Sequence, residues 1–354
     1  MENKKSVFWI NAIRAICIIF VYFSHCKTYY GCDGSFSLIN AIYLPFSVNA
    51  FFFVSGYLLL GKQLSVPKID ETRSQYIVGG GRILLLNIIN RILIPSVIFA
   101  SIEFLPKKLI RGESIYASDM FYETIGGLTY WFTGALVVAE LLFLLLFITR
   151  IRNVWFYVVC AVVLSSFGAY LASNGFYFVA DHPSFPWLYK NGLICTVYLA
   201  MGGLYWRYEP FCRDIKSGLL IFLTAIYCIG CIFLRPYLVA GNLTSMEQIN
   251  PLGALWSVFA SILLIEILKK VPQNKILTFI GQNSIGFYFM SGALPIVVSI
   301  VMHKIIPHTY SWMVFIIMFI CLTIAYYTMH LLNRFCPWLF DLRLIRRRDP
   351  AKTN

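Results

Sequence analysis

The sequence predicts an all-α, polytopic membrane protein, and two observations support this fold class. Hydrophobic residues make up 59% of the 354 positions and charged residues only 13%, and the mean hydropathy is +0.73. Apolar runs of about 17 residues or more also recur along the whole chain, and a helix of about 20 residues crosses a hydrocarbon core of about 30 Å. We therefore expect one bundle of transmembrane helices that forms a single membrane domain.

The apolar runs divide the chain into about ten predicted transmembrane helices. They cover 7–24, 40–61, 83–101, 127–148, 153–173, 188–206, 217–235, 251–268, 276–302 and 311–333. The first run is long, contains Arg14 and lacks a small-residue cleavage site, so we expect it to stay as an anchor rather than be removed as a signal peptide. The ninth run contains Gly281, Gly286, Gly292 and Pro295, which predict a broken helix, either kinked or re-entrant.

The net charge of +13 fits a membrane protein better than a nucleic-acid-binding protein, because the basic residues are distributed unevenly. With ten spans and the N-terminus inside, most of the 29 Lys and Arg residues face the cytoplasm. The basic residues that this topology puts on the external side of the membrane are Lys27, Lys107, Lys108, Arg111, Lys190, Arg235 and Lys304. This positive-inside bias predicts an inner-membrane protein with both termini in the cytoplasm. We expect a membrane domain over 1–340 and a basic tail over 341–354 that contacts anionic lipids.

The ten cysteines do not have the spacing of a metal site, so no metal is expected. Cys26 and Cys32 both fall in the first predicted external loop, where oxidation is chemically feasible. A disulfide and two unpaired thiols are both compatible with this placement.

Two ionisable residues in the first predicted span lie on the same helical face. The eleven residue steps from Arg14 to His25 turn an α-helix about 20° past three full turns and advance it by about 16 Å. Asn11 lies on this face as well. A charged side chain in lipid costs several kcal/mol, so the face is expected to meet a bundle interior or a wet cavity. The alternative is a structural arginine bonded to backbone carbonyls and a histidine that merely sits at the interface.

Further polar features follow in the next three predicted spans. Arg91 stands about midway along the third span, and with Arg14 it predicts an anion-binding pocket, because the planar guanidinium fork suits phosphate and carboxylate. Glu140 lies inside the fourth span, where it either pairs with one of these arginines or acts in catalysis. In the second span, Gly56 allows another backbone or a ligand to approach closely.

Four motifs, in this order along the chain, resemble those of the acyltransferase 3 family of integral membrane acyltransferases. They are the R-x10-H arrangement from Arg14 to His25, "FFFVSGYLL" at 51–59, "YWFTGAL" at 130–136 and "IGQNSIGFYFM" at 280–290. The matching residues are Arg14, His25, Ser55, Gly56, Arg91, Trp131, Asn283 and Tyr288. The chain departs from the family at Asn11, where an aspartate is common, and at Ser291, where many members have a histidine.

The resemblance implies an enzyme that moves an acyl group, most simply acetyl, from cytoplasmic acyl-CoA to a hydroxyl of an envelope glycan or a lipid-linked saccharide. The most similar type is the stand-alone member that O-acetylates envelope glycans such as the enterobacterial common antigen, because we expect no hydrolase-like domain after the last helix. Acetyl-CoA is then a co-substrate, and no permanently bound cofactor is expected. The sequence leaves the acceptor sugar and the oligomeric state open.

The same resemblance implies roles for individual residues. His25 would act either as a general base on the acceptor hydroxyl or as a nucleophile that forms an acyl-imidazole. Basic groups at the inner mouth would hold the phosphates or the thioester carbonyl of the donor. Arg14 is expected to be the second catalytic residue beside His25, and it holds the donor from the cytoplasmic side. The residues expected to bind the donor are Arg91, Arg82, Phe52, Ser55 and Gly56. The supporting residues are Asn11, Trp131, Glu140, Asn283 and Tyr288.

Two other function classes make different predictions. A transporter or flippase for a glycan or lipid precursor would also use ten helices, a broken helix and buried charges, but it favours inverted internal repeats, and no convincing self-similarity is present at half-length. A sensor or scaffold predicts no buried arginine and histidine on one face. The sequence therefore favours acyl transfer.

Overall fold

The computed structural model describes residues 8–65, 72–179, 181–212, 215–235 and 251–340, and every regular element within them is helical. The α-helices are α1 Phe8–Tyr29, α2 Ser37–Ser47, α3 Asn49–Ser65, α4 Arg73–Tyr76, α5 Arg82–Ile88, α6 Ile94–Arg111, α7 Ala117–Thr124, α8 Trp131–Phe147, α9 Val154–Ser173, α10 Tyr189–Cys212, α11 Ser217–Phe233, α12 Pro251–Lys270, α13 Lys275–Gln282, α14 Ser284–Ile305 and α15 Met313–Phe335.

Among the described residues, seven helical stretches are long and apolar enough to cross a membrane. They are Phe8–Tyr29, Asp33–Ser65, Arg73–Ile110, Val154–Ser173, Pro251–Lys270, Ser284–Ile305 and Met313–Phe335. The apolar helices α8 and α11 are shorter, at 17 residues each. The all-helical fold predicted from composition is confirmed, whereas the count of about ten spans stays a prediction. The predicted basic tail at 341–354 lies outside the described residues.

Helix α1 is longer than predicted, because it continues through its polar end to Tyr29. Lys27 stays in the helix since its stem is buried and its ammonium group lies 3.5 Å from a carboxylate oxygen of Asp33. The prediction that Cys26 lies in an external loop is therefore wrong. Cys26 is a buried free thiol on α1, and Cys32 is free as well.

The third predicted span is part of a longer helical stretch, Arg73–Ile110, that contains two π-helical turns. These turns cover Ile77–Gly81 and Ile89–Leu93. Such turns are rare in α-helices and occur frequently at functional sites. The second turn contains Arg91, so the helix is distorted at the point where this charged side chain leaves it.

Two further predicted spans are each divided into two helices. The span 40–61 becomes α2 and α3, and the span 276–302 becomes α13 and α14, which meet at Asn283. The side-chain amide of Asn283 donates to the carbonyl of Phe279 at 2.8 Å, and its oxygen accepts from the amide of Asn333 at 2.8 Å. The junction between α13 and α14 is therefore fastened to α15.

Helix α1 lies at the centre of the bundle, where it packs against α3, α12, α13, α14 and α15. The contact with α13 is close enough that a Cβ on Gly281 would lie 1.9 Å from the backbone oxygen of Asn11. Helices α3 and α10 approach as closely, since a Cβ on Gly56 would lie 1.9 Å from the carbonyl oxygen of Leu199. Small residues allow membrane helices to pack in this way.

The two ends of α1 define two sides of the bundle, which we call the Phe8 side and the Tyr29 side. The end of α3 belongs to the Phe8 side, because the ring of Trp9 packs edge-on against Tyr57 with centroids 5.0 Å apart. The start of α8 belongs to the Tyr29 side, because Trp131 and His25 line the same cavity. Positions along α1, α3 and α8 can therefore be compared on one axis.

Candidate active site

A cavity of about 300 Å³ opens inside the bundle around Arg14, and we call it the Arg14 cavity. The polar side chains on its wall are Arg14, Ser55, Asn87, Arg91, Glu140, Gln282, Asn283, Ser284 and Tyr288. Phe51 and Phe132 form part of its apolar wall. Six of these residues were singled out from the sequence, and Asn87, Gln282 and Ser284 were not. Residues from α1, α3, the second π-helical turn, α8 and the junction of α13 with α14 therefore meet at one place.

The Arg14 cavity contains two cationic side chains and one carboxyl group. Arg14 is half-buried, and its charge interacts with those of Arg91 and Glu140. Arg91 is more exposed and leaves the helix at the π-helical turn. Two guanidinium groups facing one carboxyl group give the cavity a positive character, which suits a negatively charged ligand.

The N-terminus of α14 adds a second source of positive potential to this cavity. Its first residues, Ser284, Ile285 and Gly286, line the wall. The first N–H groups of an α-helix lack intrahelical acceptors, and the helix dipole favours negative charge beside them. The cavity therefore combines arginine forks with a helix N-terminus, which can stabilise an anion or a carbonyl oxygen that gains negative charge during a reaction.

A second cavity, of about 290 Å³, lies on the Tyr29 side around His25, and we call it the His25 cavity. His25 is half-buried, and its ring stacks on Tyr29 with centroids 5.8 Å apart and an interplanar angle of 12°. Trp131 and several aliphatic side chains form much of the wall. His25 is thus held in a mostly apolar cavity, about 16 Å along α1 from Arg14.

Sequence reasoning missed three polar residues in the His25 cavity: Glu103, Lys107 and Thr129. The Tyr130 hydroxyl, which lines the same cavity as Glu103, donates to the carbonyl of Phe289 at 3.2 Å. The hydroxyl of Thr129 is buried and has no hydrogen-bond partner among the described residues. Glu103 and Lys107 were missed because the predicted third span ended before them. Their spacing of four residues, which puts them on one helical face, was the signal that could have found them.

Tyr288 lines both cavities and so forms part of the wall between them. Its side chain is only 8% exposed, and its hydroxyl accepts a hydrogen bond from the backbone N–H of Phe132 at 3.2 Å. The two rings also pack edge-on with centroids 5.3 Å apart. These contacts tie α14 to the first turn of α8 at the level where the two cavities meet.

Four residues predicted from the sequence lie outside the walls of both cavities. Phe52 is fully buried and packs against Phe132 with ring centroids 5.1 Å apart. Gly56 faces α10, and the backbone of Asn11 contacts α13 at Gly281, so both positions belong to close helix packing. Arg82 is exposed at the start of α5. Within the described part of the chain, no group of three or more His, Cys, Asp or Glu side chains is arranged to hold a metal ion.

The sequence model of the acyltransferase 3 family, described as an acyltransferase domain, matches residues 7–330. The chain belongs to this family. No curated protein and no solved structure matches the chain. The family resemblance carried by the four sequence motifs is therefore confirmed. Together with the apolar helices, it makes the protein a multi-pass membrane acyltransferase.

Proposed function

We propose that this acyltransferase moves an acyl group, acetyl in the simplest case, from acyl-CoA to a hydroxyl of an envelope glycan or a lipid-linked saccharide. The observation that carries the proposal is that α1 presents an anion-binding cavity and a histidine cavity at two levels of one helical face. A charged thioester donor and a neutral hydroxyl acceptor need these two kinds of site. Family membership favours this reaction over the transporter or flippase considered from the sequence.

In this proposal, the thioester of the donor binds in the Arg14 cavity. Arg14, Arg91 and the N-terminus of α14 offer N–H donors to the carbonyl oxygen, which gains negative charge when the acceptor attacks. The aromatic wall that includes Phe51 packs against the pantetheine arm. Glu140 holds Arg14 in position through its charge. Arg82 meets the donor outside the cavity, at the start of α5.

The acceptor saccharide binds in the His25 cavity, with its reacting hydroxyl at the wall beside Tyr288, where this cavity meets the Arg14 cavity and the acyl group of the donor. His25 removes the hydroxyl proton while the acceptor oxygen bonds to the acyl carbon, the carbon–sulfur bond breaks, and CoA leaves as its thiol after taking up a proton. In the alternative order, the imidazole of His25 attacks first and passes the acyl group to the acceptor from an acyl-imidazole. Glu103 can hydrogen-bond to other hydroxyl groups of the acceptor, and Thr129 contributes a buried hydroxyl to the same wall. This arrangement suits a saccharide, which offers several hydroxyl groups.

The proposal implies one orientation in the inner membrane. Acyl-CoA is made in the cytoplasm, so the Phe8 side faces the cytoplasm and the Tyr29 side faces the envelope. The positive-inside bias of the sequence supports the same orientation. We expect reporter fusions at Asn354 and within 61–82 to read inside, and a fusion within 102–126 to read outside. An outside reading at Asn354 would contradict the proposed topology.

The decisive experiment measures transfer of labelled acetyl groups from acetyl-CoA to the glycan in proteoliposomes. His25→Ala removes the proposed base, so transfer should fall by at least ~100-fold while CoA affinity and thermal stability stay near the wild type. His308→Ala is the matched control, because His308 is an exposed histidine that does not line the cavity. A folded, fully active His25→Ala protein would refute the catalytic assignment.

A further inference from the structure

A third cavity, of about 270 Å³, opens on the Phe8 side and carries three basic side chains; we call it the Arg150 cavity. Lys62 comes from the end of α3, and Arg150 and Arg152 come from the turn between α8 and α9. Tyr76 and Tyr157 give the cavity an aromatic wall. None of the described residues that line it is acidic. The cavity therefore has a positive lining that the roles assigned so far do not use.

The Arg150 cavity and the Arg14 cavity lie along the same three helices, because α3, α5 and α8 line both. On α3, Leu59 of the Arg150 cavity lies one turn, about 6 Å, beyond Ser55 of the Arg14 cavity. On α8, Phe147 lies about 10 Å beyond Glu140 in the same direction. The positive lining therefore begins one to two helical turns from the Arg14 cavity, toward the Phe8 side.

Arg150 has an unusual backbone conformation for an arginine. Its φ of 62° lies in the left-handed region, which glycine adopts freely and other residues adopt at a cost. Its N–H donates to the carbonyl of Phe147 at 3.0 Å, so the residue closes the end of α8. Its guanidinium lies over the ring of Tyr76, 4.7 Å from the centroid. Glycine would close this turn more easily. Residues with a strained backbone conformation cluster at ligand sites, which favours a binding role for Arg150.

We propose that the Arg150 cavity binds the phosphate groups of the acyl donor's nucleotide. This inference rests on the proposed function and deepens it. Guanidinium forks bind phosphate oxygens in pairs, and Lys62 adds a further positive charge. With the phosphates in this cavity, the arm of the donor lies along α3, α5 and α8 and brings the thioester to Arg14 and Arg91. Two separate groups of cations then hold the nucleotide and the reacting carbonyl.

An anionic lipid headgroup offers the same phosphate chemistry, so the test must separate the two sources. In CoA, the nucleotide and the thiol-bearing arm are one molecule. Pantetheine has the arm without the nucleotide. Loss of the cavity's cations should therefore weaken CoA binding and leave pantetheine binding unchanged. A lipid site would leave the affinities for both ligands unchanged.

The experiment compares CoA and pantetheine binding to the full chain in nanodiscs of neutral phosphatidylcholine by isothermal titration calorimetry. The main variant is Arg150→Gly, because glycine accepts the φ of 62° and preserves the end of α8. We expect the Kd for CoA to rise at least ~10-fold, which is about 1.4 kcal/mol, with no change for pantetheine. Arg150→Lys keeps the charge without the fork and should give an intermediate Kd.

Two further variants make the experiment specific. Lys62→Gln removes a second cation at the exposed end of α3 and should raise the Kd for CoA several-fold, which tests the cavity without altering the α8 turn. Arg207→Gln is the matched control, because Arg207 is an exposed arginine on α10 that does not line the cavity. It should change neither Kd.

Three results would overturn the inference. They are an unchanged Kd for CoA in both Arg150→Gly and Lys62→Gln, an equal loss for CoA and pantetheine, and loss of co-purified phosphatidylglycerol with CoA binding unchanged. The last result would assign the cavity to a lipid headgroup. A wild-type protein that binds CoA through this cavity but transfers no acyl group would refute the proposed function and leave this inference standing.

Discussion

In the Phe8 half of the bundle, two groups of buried or partly buried charged side chains can be compared, and they differ in how their charges are surrounded. The first, which we call the Lys269 cluster, consists of Lys269, Glu209, Glu266, Tyr57 and Tyr205. The ammonium group of Lys269 lies 3.0 Å from a carboxylate oxygen of Glu209 and 3.0 Å from one of Glu266. The Tyr57 hydroxyl donates to Glu209, and the Tyr205 hydroxyl donates to Glu266. Each charge in this cluster therefore has a partner from the protein itself.

The Arg14 cavity differs from this cluster because its charged side chains line open space. Its two guanidinium groups and one carboxyl group surround about 300 Å³ of space, whereas none of the residues of the Lys269 cluster lines any of the three cavities. A paired buried charge serves structure, and removing one partner destabilises the fold. A charge inside a membrane domain that faces open space marks a ligand path. An ionisable residue in a membrane helix therefore points to function when a cavity adjoins it.

The largest expected effect of this difference is on acyl transfer in variants of the Arg14 cavity. Arg91→Ala removes one proposed donor to the thioester carbonyl, so we expect kcat to fall by about 100- to 1,000-fold. Arg91→Lys keeps the charge without the planar fork and should restore only part of the rate. Labelled acetyl transfer in proteoliposomes measures both. Unchanged transfer and CoA affinity in a folded Arg91→Ala protein would assign Arg91 to structure.

Lys269→Met is the matched control for this prediction, from the Lys269 cluster. It leaves the carboxylates of Glu209 and Glu266 without their cation, which should cost about 3–5 kcal/mol of folding free energy. The thermal midpoint should therefore drop, while acyl transfer per folded molecule stays near the wild type. A Lys269→Met protein with normal stability and no activity would show that the Lys269 cluster takes part in acyl transfer, contrary to the structural role assigned to it.

The same comparison shows which features the sequence could predict. Hydrophobic runs locate single helices, so α9, α12 and α15 begin and end within two residues of the predicted spans. Arg14, Arg91 and Glu140 stood out because each is charged within an apolar run. Helical spacing also put Arg14 and His25 on one face, which is how the structure presents them to two cavities. Their chemical roles stay predictions.

Features assembled from distant turns could not be predicted in this way. The Lys269 cluster joins α3, α10 and α12, and the Arg150 cavity joins α3, α5 and the turn after α8. Which faces meet depends on the order and rotation of the helices, and these depend on contacts such as that of Gly56 with Leu199. Neither hydrophobicity nor residue spacing within one segment carries that information.

An intermediate effect is expected at Tyr288, where the two cavities meet. Tyr288→Ala removes the buried ring between the Arg14 cavity and the His25 cavity, so water from the Tyr29 side should reach the thioester. We expect the rate of acetyl-CoA hydrolysis without acceptor to rise about 10-fold, which corresponds to an activation free energy lower by about 1.4 kcal/mol. Release of free CoA thiol in proteoliposomes, in the absence of glycan, measures this rate.

Tyr288→Phe is the control for the Tyr288 prediction. It keeps the ring and loses only the hydroxyl that accepts from the N–H of Phe132, so hydrolysis should stay at the wild-type level. Equal hydrolysis in wild type, Tyr288→Ala and Tyr288→Phe would mean that this side chain does not keep water from the donor. A rise in both variants would assign the effect to the hydroxyl instead of the ring.

The smallest effect is expected at Thr129. Its hydroxyl can be compared with the Tyr57 hydroxyl of the Lys269 cluster. The Thr129 hydroxyl is buried in the wall of the His25 cavity without a partner among the described residues, whereas the Tyr57 hydroxyl donates to Glu209. A buried hydroxyl without a partner costs free energy, so Thr129→Val should raise stability by up to about 1 kcal/mol. Tyr57→Phe should lower stability by about 1.5–3 kcal/mol, because it removes a hydrogen bond to a charged group.

The Thr129 substitution also tests whether the unpaired hydroxyl is reserved for the acceptor. If an acceptor hydroxyl pairs with Thr129, then Thr129→Val should raise the acceptor KM about threefold, which corresponds to one modest hydrogen bond, and leave the KM for acetyl-CoA unchanged. Thermal midpoints and acceptor titrations of the two variants measure both effects. If Thr129→Val is more stable but binds the acceptor saccharide less tightly, the Thr129 hydroxyl serves ligand binding and not the fold. A loss of stability in Thr129→Val would instead place this hydroxyl with the paired groups of the Lys269 cluster, as part of the fold.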